Sequence, residues 1–82
     1  MKLARETMYF VQSFTESRGG LAAAAPTRCK DEAAARRAVV HLGETKSGAV
    51  AFSSSGDAEL GDFDDEPVIL VVVGTVPEDF HH

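Results

Sequence analysis

The chain has one cysteine, no tryptophan, three prolines and, beyond Lys46, no lysine or arginine. Each shortage excludes something. A single Cys29 closes no internal disulfide, and with His41, His81 and His82 it supplies no zinc-ligand set. The longest apolar run, Val68-Ile69-Leu70-Val71-Val72-Val73, is six residues, too few to span a bilayer. The N-terminal Met1-Lys2-Leu3-Ala4-Arg5 leads into polar Glu6-Thr7, not into the apolar centre of a secretory signal. These absences predict a cytoplasmic chain with no cofactor and no structural metal.

Catalytic signatures are missing too. No P-loop, dinucleotide glycine fingerprint, nucleophile elbow or pair of catalytic carboxylates occurs in the sequence. Cys29, the only thiol, stands between Arg28 and Lys30, and the nearest imidazole is His41. Twelve residues along one helix place that imidazole about 18 Å away, so it cannot serve the thiol as a base. Without a nucleophile, base and oxyanion donor in one place, enzyme activity is not expected.

What is present is a small, acidic, strongly patterned chain. Eighty-two residues allow one domain, with a core too small to leave much margin, and oligomerisation is the remaining aid. All eight lysines and arginines lie in residues 1–46 beside five acids, whereas residues 47–82 hold the other eight acids. Such asymmetry can steer a basic partner or simply keep an apolar strand dispersed. Arg28, Lys30, Arg36 and Arg37 could form a phosphate-contacting patch, but a pI near 5.0 and the acidic half argue against nucleic acid.

The acidic residues concentrate in one loop. Asp57, Glu59, Asp62, Asp64, Asp65 and Glu66 fall within ten residues, interrupted by Gly61. Their oxygens could hold a hard cation or meet a basic partner. The spacing departs from an EF-hand: Gly61 falls at position five, and position twelve is Val68 where a bidentate glutamate is required. A solvated hairpin loop accounts for the same residues.

The patterning predicts an α+β fold, ββαββ, with an antiparallel, about four-stranded sheet and one amphipathic helix on one face. Residues 8–15 alternate aromatic and β-branched side chains as a strand does, and Gly19-Gly20 supplies a turn. The alanine-rich segment 21–25 is read as a short second strand, because five residues before Pro26 make a poor helix. Thr27 is the expected N-cap of a helix over 28–42, with Ala35, Ala38, Val39 and Leu42 as its apolar stripe and Gly43 past its end. Residues 48–54 and the run 68–76, entered through Pro67, complete the sheet. Residues 1–6 are expected to be flexible, 7–77 to form the domain, and 78–82 to fray, with His81 and His82 native or the remnant of an affinity tag.

The hairpin followed by Asp31-Glu32-Ala33-Ala34-Ala35-Arg36-Arg37-Ala38 resembles the partial-RNase-H-type fold of small bacterial antitoxins. The resemblance covers about half the chain and rests on a helix pattern, and the separate DNA-binding segment usual in those antitoxins has no room here. It implies, at most, an antitoxin-like binder of a basic partner.

With one sheet face covered by the helix, the other is expected to stay open. Tyr9, Val11, Val68, Leu70 and Val72 are its candidate residues, and an apolar patch of that size marks an interaction surface. The reading that follows is a protein-protein interaction or self-associating module, a homodimer or a binder of another protein. The alternative is a ligand or cation module built on the 57–66 loop.

Overall fold

A long central strand and the residues opposite it organise the molecule. The computed structural model describes residues 5–57, 60–63 and 66–80. β1 (Glu6–Ser17) turns at Gly19-Gly20 into β2 (Gly20–Ala23), and β3 (Thr27–Cys29) then returns along the same edge of β1. α1 (Glu32–Thr45) crosses the sheet to β4 (Gly48–Asp57), which lies antiparallel against the other edge of β1. β5 (Asp62–Phe63) and β6 (Val68–Gly74) share the far edge of β4. Six antiparallel strands thus form a sheet four strands wide, with one helix against it. The expected ββαββ order holds, with β3 and β5 as additional short strands.

The helix begins later than its predicted cap. The Asp31 carboxylate accepts the Ala34 N–H at 2.8 Å, satisfying one of the amides a helix start leaves unpaired. Thr27 is instead the first residue of β3 and stands opposite Val11. Alanine, glutamate and arginine then propagate the helix, and Arg36 bonds Glu32 one turn back at 2.8 Å. The end also moves: α1 runs through Gly43 to Thr45, where the Lys46 N–H reaches the Leu42 carbonyl at 2.9 Å. Gly43 is no terminator. It is where α1 touches β6, since a β-carbon there would stand 2.5 Å from Val73 Cγ1.

Two apolar clusters lie on opposite faces of the sheet. On the helix side, Ala35 and Val39 pack on Val11, Ala49 and Ala51, with Tyr9, Leu70, Val71 and Val73 around them. Small alanines on both helix and strand let the two layers approach closely. On the other side Phe14, Val50 and Val76 are buried, flanked by Leu21, Phe52, Ile69, Val72 and Phe80.

The second cluster is closed by the segment that follows β6. Gly74, at φ +70, turns the chain out of β6, a conformation that favours glycine. The Thr75 N–H bonds the Ser47 carbonyl at 2.9 Å, and a β-carbon on Gly48 would overlap the Thr75 carbonyl. Val76 then drops against Phe14 and Val50. Glu78–Phe80 forms one 3-10 turn that sets the Phe80 ring 5.7 Å from Phe14 and 6.4 Å from Phe52. Residues 78–80 belong to the stretch expected to fray, and here they form that turn with Phe80 packed on Phe14 and Phe52; His81 and His82 lie outside the described residues.

Candidate interaction surface

β6 is an edge strand. Its only strand partner among the described residues is β4, so one side of its backbone faces outward. The strand is Val-Ile-Leu-Val-Val-Val-Gly, with no charged residue and no proline between Val68 and Gly74. Edges of this composition are templates for pairing, and natural proteins usually blunt them with lysine, proline or a cover.

The strand carries a β-bulge that redistributes its side chains. Ala51 stands opposite Val71 but Phe52 stands opposite Ile69, leaving Leu70 as an extra residue. Leu70, Val71 and Val73 therefore pack into the helix-side cluster, while Ile69 and Val72 join the cluster under the tail. Strict alternation would have put Leu70 and Val72 on one face.

The five expected open-face residues are thus divided among three places. Tyr9, Val11 and Leu70 belong to the face the helix covers, Val11 being 4% exposed. Their assignment to an open face is corrected: odd-numbered residues of β1 face α1, and the bulge turns Leu70 the same way. Val72 lies on the other face, but Phe14, Val50 and Val76 fill the cluster beside it. Only Val68 is prominently in water, at 60% exposure. It stands opposite Ser53, which pairs with Tyr9, so it shares the helix-side face.

The structure adds a residue that periodicity did not single out. Val40 is 59% exposed on α1, one turn before Gly43. Because Gly43 abuts Val73, Val40 lies on the helix flank toward β6. A lone exposed valine on a polar helix face gives no signal in sequence. On the opposite sheet face Phe10 and Phe52 stack at 5.4 Å, half-buried, with Arg28 opposite Phe10.

Asp57 and Asp62 of the acidic loop lie in paired strands. β4 extends three residues beyond its predicted end to Asp57, which stands opposite Asp62 and accepts the Leu60 N–H at 3.3 Å. Glu59, Asp64 and Asp65 lie outside the described residues. Among the described residues no three His, Cys, Asp or Glu side chains converge as a metal site. Cys29, half-buried in β3, packs against the helix-side cluster, and His41 contacts Glu44 at 3.4 Å on the exposed helix surface. No described helix is long and apolar enough to cross a membrane. No family model, curated protein or solved structure matches the chain.

Proposed function

We propose that this chain is a small protein-interaction module that works by adding a polypeptide strand to the outer edge of β6. The observation that carries this reading is the composition of that edge: seven uncharged, largely apolar residues, paired on one side only among the described residues. Backbone N–H and C=O groups on the open side supply affinity to an extended segment, and the side chains flanking them supply selectivity. The tail and the helix already cover much of both sheet faces, which leaves the outer edge of β6 as a surface still open. Acidic flanks, Glu66 before the strand and Glu78 after it, keep such a surface dispersed until it is paired.

Site-specific photo-crosslinking in the native host tests the reading. A crosslinking amino acid at Val68 is expected to form adducts with a polypeptide, whereas the same group at Arg37, on the exposed helix surface, is not. Adducts from neither position, or equal adducts from both, would remove β6 as the binding edge.

A further inference from the structure

Resting on that reading, we infer that the strand added to β6 is the β6 of a second copy of this chain, running antiparallel to it. Charge sets the direction. Residues 67–77 carry no charged side chain, and five acids lie just before them between Asp57 and Asp65, with a sixth at Glu66. Parallel pairing would bring the acidic steps of both copies together. Antiparallel pairing sends the two strand entries, each marked by Glu66, to opposite ends of the seven-residue strand, about 20 Å apart at some 3.4 Å per residue, beyond a Debye length of about 8 Å. Each entry then meets the partner's strand exit, where the sequence has two acids, Glu78 and Asp79, in place of six.

Geometry then selects a copy of this chain over a bare peptide. Two antiparallel edge strands are related by a two-fold axis perpendicular to the sheet, which places both helices on the same face. Val40 and Val68 lie on that face at the β6 side of the molecule, and they are two of the three large apolar side chains that stand exposed among the described residues. A peptide lying along β6 would pair the backbone and leave Val40 in water. A second copy brings its own helix flank and its own Val68 alongside. It extends the contact beyond the backbone toward the roughly 1,000 Å² a specific interface needs. The same arrangement removes the outer edge of β6 from both copies at once.

The full chain is the material for the test. Sedimentation from micromolar to millimolar concentration is expected to show a monomer–dimer equilibrium. Val68→Lys and, independently, Val40→Lys are expected to weaken it about tenfold or more, with circular dichroism unchanged because both side chains are exposed. If one variant does not fold, the other decides. In a dimer of mixed isotope labels, Val68 of one copy is expected near Gly74 of the other. A Val68–Val68 contact, or a dimer that the folded variants leave intact, overturns the inference. A monomer at millimolar concentration also overturns it. If Val68 of that monomer still crosslinks to a different polypeptide, strand addition stands without self-association; if it crosslinks to nothing, both fall.

Discussion

Gly43 of α1 is seated against Val73 of β6, with no space for a side chain between them: a β-carbon would come within 2.5 Å of Val73 Cγ1. Helix propensity alone favours Gly43→Ala by about 1 kcal/mol, whereas overpacking a seated contact costs about 1–3 kcal/mol. The variant is therefore expected to be less stable, by about 1 kcal/mol, in urea unfolding. Adding Val73→Ala should recover part of that loss, since it removes the atom in the way. A Gly43→Ala chain more stable than the parent would show that α1 does not rest on β6 at this point.

The stability of β6 depends on which side chains the bulge sends inward. Leu70→Lys and Val72→Lys each place a charge against apolar neighbours, Leu70 under α1 and Val72 beside Val50 and Val76. Both are expected to unfold the chain, not to yield a folded monomer, because an unpaired charge in such a site is costly. Leu70→Ala, milder, should cost about 1–3 kcal/mol, less than a fully buried leucine. Retention of native circular dichroism and urea midpoint by Leu70→Lys would place that side chain in water.

Much of this architecture is legible in the sequence, and the failures have local causes. The alternation in β1 and the Ala35–Val39 stripe report burial on a regular period, the run at β6 reports it by length and β-branching alone, and each yields the element it predicts. Thr27-Arg28-Cys29 gives no such pattern: three of the four residues between Pro26 and Asp31 become a strand only because β1 is long enough to offer them Tyr9 to Val11. Face assignment fails at Leu70, where one inserted residue reverses the parity of everything before it. The edge itself follows from topology. Whether β6 lies at the rim or inside the sheet depends on what β4 pairs with, and no property of the run records it.

Phe80 closes the second cluster from beyond the last strand. Its ring packs on Phe14 and Phe52, and the turn behind it is held by the Phe80 N–H on the Pro77 carbonyl at 3.0 Å. Phe80→Ala is expected to lower stability by about 1–3 kcal/mol, short of the full cost of a buried phenylalanine because the ring is half-buried. It should also increase binding of a hydrophobic dye, as Phe14 and Val50 lose part of their cover. No change in either measurement would mean that the tail does not dock in solution.

The start of α1 separates two candidate caps by energy. The Asp31 carboxylate bonds the Ala34 N–H, while Thr27 lies four residues earlier in β3. Asp31→Ala is expected to cost about 1 kcal/mol, the usual loss when a capping oxygen is removed. Asp31→Asn should recover most of it, because an amide oxygen accepts the same hydrogen bond. Thr27→Ala should stay within about 0.5 kcal/mol of the parent, as surface substitutions away from such features do. Urea unfolding of the three variants distinguishes the alternatives. If Thr27→Ala were the costly change and Asp31→Ala the neutral one, the helix would begin at residue 28, and the pairing of β3 with β1 would have to be given up with it.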